Sequence, residues 1–319
     1  MDERQKFKFI AQIRKNVAAK RWTCIEPGCN RTAINSHLLQ RNGILSNIAD
    51  NGHLYEIKGS DIHRWNSKSQ RFEFRKVGIS KALALPLFCD ICDSSIFKFI
   101  EKDQMNLYSY PGFVLLNYRV TCAEQRKKQI EAEVFQRTLN AKTLKGNVDV
   151  FTIEKFLYGY QLGIRDLDNL KDIIKKEIES PEEIFRFEAF RYPLTKVYGA
   201  ALFGTTDENT KDDPERFEFN DIFIHVIPFQ DNMGVLCGYI KKFETDWTVK
   251  YVNSWREINE SDLKVRLTDL FAARIENWGI APSLFESIPK KTISKMIDFW
   301  DTNVMSLHKS LKTDFNFFE

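Results

Sequence analysis

Apolar and polar positions follow two periods along this chain, and the dominant period changes partway. Over residues 3–20, Phe7, Ile10, Ile13 and Val17 fall at helical spacing with Lys and Arg opposite, which predicts an amphipathic helix. Ala33 to Leu39 reads as a short extended segment, followed by a break at Arg41-Asn42-Gly43 and a short helix over Ile44 to Ile48. Leu54-Tyr55-Glu56-Ile57 and Arg71-Phe72-Glu73-Phe74-Arg75 alternate with period two, so a hairpin is expected over 53–77 with a polar loop between its strands. Leu83 to Phe88 is an apolar run, and a helix is expected after Cys92, on which Asp93 and Glu101 share a face two turns apart. Gly112 to Lys145 and 152–179 predict two long helices, the second with a stripe of Leu167, Leu170, Ile174 and Ile178.

Past Gly146-Asn147 the character shifts. After Ser180-Pro181-Glu182-Glu183, a turn or a helix restart, strand-like runs occupy Tyr192 to Phe203, Phe217 to Phe229 and Val235 to Phe243. Asp231-Asn232-Met233-Gly234 supplies a hairpin turn between the last two. Trp247 to Val252 predicts one more strand, 205–216 a polar loop, and two helices close the chain near 261–277 and 290–311. The expected fold class is α+β. Residues 1–110 form an N-terminal module, 111–180 a helical connector, and 181–319 a mixed α/β C-terminal domain with antiparallel strands.

Composition adds two constraints. With 319 residues, 43% hydrophobic and 29% charged, the chain can bury a sizeable core. It contains no apolar run near the roughly 18–20 residues a membrane span needs, so no membrane partner is expected. Met1-Asp2-Glu3-Arg4 is charged with no apolar stretch behind it, so a cytoplasmic location is the expectation. The net charge of +3 conceals an asymmetry. Residues 1–150 hold 25 Lys and Arg against 15 Asp and Glu, a balance of +10. Subtraction from the totals of 47 and 44 leaves 22 against 29, or −7, for 151–319. A basic half suits a polyanion such as DNA or RNA, while an uneven solvated surface is the plainer reading. Trp22, Trp65 and Phe72 are aromatics able to stack on bases, or else to pack around the hairpin.

The chemistry concentrates between Cys24 and Glu101. Cys24-Ile25-Glu26-Pro27-Gly28-Cys29 and Cys89-Asp90-Ile91-Cys92 are two closely spaced cysteine pairs, the first with turn-forming Pro-Gly inside it. In a reducing compartment such pairs point to a tetrahedral Cys₄ site with structural zinc rather than to disulfides. Cys122 and Cys237 have no near partner and read as small buried apolar residues. His37 lies between the pairs on the extended segment and is a candidate base, a zinc ligand or a structural histidine. Asp93 is either a metal ligand or a helix-start carboxylate, and Glu101 a third participant or a solvated face. His53 and His63 read as surface residues, and His225, among apolar neighbours in a strand, as a core or edge residue.

Cys24 and Cys29, then Ser36-His37, then Cys89, Cys92 and Asp93 resemble the HNH, or His-Me finger, nucleases. The closest likeness is to the zinc-stapled branch that includes the phage Holliday-junction resolving endonucleases. The resemblance covers about a quarter of the chain. It implies a zinc-stapled ββα-metal-like module in which His37 is the general base. It also implies that Asp93, at the helix position, and Ser36, before the histidine, hold a catalytic Mg²⁺ or Mn²⁺. Ser36 stands where the family has Asp or His, and a neutral hydroxyl is a weak ligand for a hard cation. The 59 residues between Cys29 and Cys89 exceed the family's usual gap, which the inserted hairpin explains.

The resemblance implies a metal-dependent endonuclease that hydrolyses phosphodiester bonds in DNA or RNA, of a type that includes bacterial defence and toxin effectors. In this reading the C-terminal half senses, binds a protein partner or self-associates. The alternatives are a non-catalytic zinc module that binds nucleic acid or protein, and a scaffold acting through its acidic half.

Overall fold

The computed structural model describes residues 1–60, 71–204, 220–303 and 312–319. In chain order the helices and strands are α1 (Glu3–Ala18), β1 (Asn35–His37), α2 (Ser46–Ile48), β2 (His53–Gly59), β3 (Phe72–Gly78), β4 (Ala84–Pro86), α3 (Asp90–Ile96) and α4 (Lys98–Lys102). They continue with α5 (Tyr110–Asn140), α6 (Val150–Glu179), β5 (Phe185–Pro193), β6 (Val197–Phe203), β7 (Ile222–Pro228) and β8 (Asn232–Ile240). The chain closes with α7 (Asp246–Asn253), α8 (Glu260–Ala273), β9 (Trp278–Ile280), α9 (Pro282–Phe285) and α10 (Lys290–Asn303).

Local sequence explains most of the boundaries. Side chains that accept backbone N–H groups start the long helices: Asp2 for α1, Ser109 for α5 with Pro111 in its first turn, and Asp149 for α6. Trp247 to Val252, expected as a strand, is the helix α7. Its β-branched and aromatic content suggests extension, but Thr245 and Thr248 form a reciprocal capping box that starts a helix there. The expected helix after Cys92 begins one turn earlier, at Asp90, with Cys89 as its cap. The loop at 205–216, residues 217–219, the end of the helix at 304–311, His63 and Trp65 lie outside the described residues.

The protein is mixed α/β with two antiparallel sheets. A seven-stranded sheet runs β3-β2-β9-β6-β7-β8-β5, and a two-stranded sheet pairs β1 with β4. The hairpin of residues 53–78 joins the larger sheet through β2 and the three-residue strand β9, in the register Tyr55↔Ile280 and Glu56↔Gly279. Hydrogen bonds therefore link the 1–110 segment directly to strands of the 181–319 segment.

Both faces of the sheet are covered. Phe223 and Ile227 of β7, with Leu236 and Ile240 of β8, pack with α5, α6 and the cysteine segment. The alternate residues Ile222, Ile224, Val226, Val235 and Cys237 pack with α7, α8 and α10. Two-sided burial is why β7 reads as a continuous apolar run rather than an alternating one. Gly238 permits this layering, because a Cβ there would strike the Arg186 carbonyl and the Phe113 ring of α5.

The small sheet carries the site and is fixed to the large one through Glu56. This residue is 1% exposed. Its Oε1 accepts from Leu83 N at 2.8 Å and from the Tyr198 hydroxyl at 2.9 Å, and its Oε2 pairs with Lys58 at 2.6 Å. Leu83 sits just before β4, in the left-handed region at φ +44°, a conformation held by its surroundings. Its carbonyl accepts from Leu38 N, next to His37, at 3.0 Å.

Candidate metal centre and catalytic site

The four cysteines come together. Cys24, Cys29, Cys89 and Cys92 place their sulfurs within 4.8 Å of one another, and Cys29 Sγ and Cys89 Sγ are 3.8 Å apart. Zinc–sulfur bonds of about 2.3 Å at tetrahedral angles place neighbouring sulfurs about 3.8 Å apart, whereas a disulfide needs about 2.05 Å. Backbone amides donate to the cluster: Cys89 N to Cys24 Sγ at 3.2 Å and Cys92 N to Cys89 Sγ at 3.4 Å. The Cys92 amide is the main influence drawing the Cys89 thiol down to about 7. Burial drives the Cys24 and Cys92 thiols the other way, so they favour ionisation only with a compensating cation. The donor set fits a structural metal such as zinc.

The cysteine turns are anchored from several sides. In the first, Glu26 accepts from the Tyr118 hydroxyl of α5 at 2.7 Å and pairs with Lys175 of α6. Arg126 of α5 donates to the Thr23 carbonyl at 2.6 Å and lies over the Trp22 ring. Ile25 N and Ile34 N donate to Leu87 O and Phe88 O, on either side of the approach to the second turn. Trp22 is thus a packing residue, and Phe72 likewise packs edge-on against Trp300 at 5.4 Å.

Beside the cluster, β1, β4 and α3 make a strand–strand–helix unit. Ser36 pairs with Leu85 and His37 with Ala84, and α3 follows β4 directly. His37 is half-buried, and its Nε2 lies 3.0 Å from the Ile79 carbonyl oxygen. A carbonyl only accepts, so Nε2 carries the proton and the neutral ring keeps its lone pair on Nδ1. Burial is the main cause holding the ring's pKa below its ordinary value, and Arg41 and Arg119 add to it. Neutral imidazole is thereby favoured.

Asp93 lies on α3 within electrostatic reach of His37. Burial raises its pKa, while Arg119, the Ser36 hydroxyl and His37 favour its ionised form. Its Oδ1 is buried and, among the described residues, has no hydrogen-bond partner. Ser36 is 1% exposed and its Oγ accepts from Phe88 N at 3.3 Å. Glu101 shares Arg119 with Asp93. The guanidinium is 2.7 Å from Glu101 Oε1, 3.9 Å from Asp93 Oδ1, and 3.7 Å from the centre of the Phe97 ring.

Ser36, His37, Asp93 and Glu101 thus share one neighbourhood, with Arg119 at its base. In the sequence, Arg119 is marked only as a lone charge inside the apolar run Phe113–Val120. Among the described residues the other histidines lie apart: His53 is exposed, and His225 is fully buried in β7 with Nε2 2.9 Å from Asn117 Oδ1. Cys122 and Cys237 are buried free thiols, as expected. Among the described residues no helix is long and apolar enough to cross a membrane. No family model, no curated protein and no solved structure matches the chain.

Proposed function

We propose that this protein is a metal-dependent endonuclease of the HNH type, acting on DNA or RNA. The observation that carries the reading is the state of His37. Its Nε2 is committed to the Ile79 carbonyl, leaving Nδ1 as a proton acceptor in the same neighbourhood as Asp93 Oδ1, a buried carboxylate oxygen with a 3.9 Å ion pair to Arg119 but, among the described residues, no hydrogen bond. The strand–strand–helix order around the cysteine cluster, and the +10 balance of residues 1–150, are consistent with it.

Phosphodiester hydrolysis needs a deprotonated water, charge stabilisation on the phosphate and a supported leaving oxygen. His37 Nδ1 takes the proton of the attacking water. Asp93 and Ser36 would hold a divalent cation, Mg²⁺ or Mn²⁺, and Asp93 Oδ1, which among the described residues accepts no hydrogen bond, is the oxygen that would ligate it. When bound, that ion supplies electrostatic stabilisation of the phosphate and the leaving oxygen. Arg119 and Glu101 position Asp93 from beneath. The cysteine cluster, with structural zinc, fixes α3 against β1 and takes no part in the chemistry.

The test is incubation of the full chain with supercoiled plasmid DNA and with single-stranded RNA, in Mg²⁺ or Mn²⁺. Cleavage of either that requires the ion and is lost in Asp93→Ala supports the reading. Absence of cleavage, or cleavage indifferent to both, contradicts it. One observation favours a second reading. The Ser36 hydroxyl is buried and already engaged by Phe88 N, as in a structural serine. In that reading the same zinc module binds nucleic acid without cutting it, and gel-shift binding persists where cleavage is absent.

A further inference from the structure

A cavity lies in the other half of the chain, on the opposite side of the large sheet. It is half-open, with a volume of about 240 Å³, and is lined by Lys250, Arg266, Arg274 and Lys312 and by the rings of Trp247 and Tyr251. Residues 151–319 carry a balance of −7, so composition alone does not produce a cationic hollow here. Asp269 is the one carboxylate in its lining, and it already accepts from Thr313 N at 2.9 Å and Thr313 Oγ1 at 2.6 Å. Among the described residues, Lys250, Arg274 and Lys312 have no ion-paired carboxylate.

The rings and cations interleave. Trp247 and Tyr251, one turn apart on α7, stack with centroids 5.1 Å apart and planes 18° from parallel. The Arg266 guanidinium lies 4.7 Å from the Tyr251 centroid, and that of Arg274 lies 6.0 Å from the Trp247 centroid. Arg266 Nε is buried without a hydrogen-bond partner. Burial, the largest cause, and the neighbouring Arg266 charge disfavour the charged form of Arg274, outweighing Tyr251 and Asp269, which favour it. Two guanidiniums held together in a partly desolvated hollow repel each other, and an anion between them relieves that repulsion. Flat rings flanked by cations are also the surface on which a nucleobase stacks while its phosphate is neutralised.

We propose that this cavity is a nucleotide-binding site, with the phosphate held by Arg266 and Arg274 at its wall and Lys250 and Lys312 at its rim, and the base stacked on Trp247. The volume lies just below the roughly 300–1,000 Å³ of drug-sized pockets, which suits one nucleotide unit. The site is separate from His37 and Asp93 and does not depend on the nuclease reading.

Isothermal titration of the full chain with adenosine 5′-monophosphate tests it, with adenosine and inorganic phosphate as separate titrants. The expected result is 1:1 binding of the nucleotide with a Kd below about 1 mM, at least about tenfold tighter than either fragment. Lys250→Glu, at an exposed position, and Arg274→Gln should each weaken that binding at least about tenfold. Their ligand-free melting temperatures, measured in parallel, separate lost binding from lost folding. A nucleotide that does not bind, that binds no tighter than inorganic phosphate, or that binds a folded Lys250→Glu variant as well as wild type overturns the proposal. A 5′-phosphorylated trinucleotide that binds more tightly than the monophosphate overturns the assignment to a single nucleotide.

Discussion

Arg119 and Glu101 are joined at 2.7 Å across the junction of α4 and α5, and the same guanidinium reaches toward Asp93 and covers the Phe97 ring. Arg119 is 2% exposed, so its charge is sustained by these partners rather than by water. Arg119→Ala leaves a half-buried carboxylate pair without its cation. The expected loss is about 2–4 kcal/mol of unfolding free energy, measured by urea denaturation. Arg119→Lys should recover only part of it, because an ammonium cannot both fork toward two carboxylates and stack on a ring.

The sulfur cluster predicts about one zinc per chain by elemental analysis of protein purified without chelator. Cys92→Ser should abolish stoichiometric zinc and destabilise the fold well beyond the ~1 kcal/mol of an average substitution, because structural metal binding is folding free energy. Cys122→Ala, a buried thiol outside the cluster, should leave zinc content unchanged. Equal zinc loss in both variants would contradict the assignment.

His225 is fully buried against Asn117, and burial depresses its pKa to about 3. An unfolded histidine titrates near 6.5. Above that value both states are neutral and the residue adds no pH dependence. As pH falls from about 6.5 toward 3, the unfolded chain takes up a proton that the folded chain refuses, and stability drops by up to ~1.4 kcal/mol per pH unit. Denaturant unfolding at pH 7.5 and 5.5 should therefore show a larger acid loss for wild type than for His225→Gln. Equal losses would rule out this linkage.

The capping box at the start of α7 predicts that Thr245→Ala costs about 1 kcal/mol, read as a lower denaturation midpoint at unchanged slope. This helix also shows where the sequence misleads. Trp247, Thr248, Val249, Tyr251 and Val252 have strand propensity, yet the Thr245–Thr248 spacing was the stronger local signal. The β2–β3 hairpin was legible from its alternation, but its partner was not. β9 is only Trp278-Gly279-Ile280, too short to show a period, and the pairing spans more than two hundred residues. Phe185 to Ala189 alternates and opens the edge strand β5, although only Tyr192 onward stands out as apolar.

The site divides in the same way. The cysteine cluster was readable because two short-range spacings encode its halves; that Ser36, His37 and Asp93 lie beside it follows from the β1–β4 pairing, which local spacing does not encode. Arg119 was not readable, because its role arises from tertiary packing that joins α3, α4 and α5. The Ile79 carbonyl that sets the His37 tautomer is likewise a long-range contact with no sequence mark.

The most direct measurement is the single-turnover cleavage rate of His37→Ala against wild type, on the substrate that wild type cuts, with the two proteins matched for zinc content and melting temperature. A general base contributes about 10²–10⁴-fold, so the variant should be at least about 100-fold slower. A folded, zinc-loaded His37→Ala protein that cuts at the wild-type rate would contradict the account.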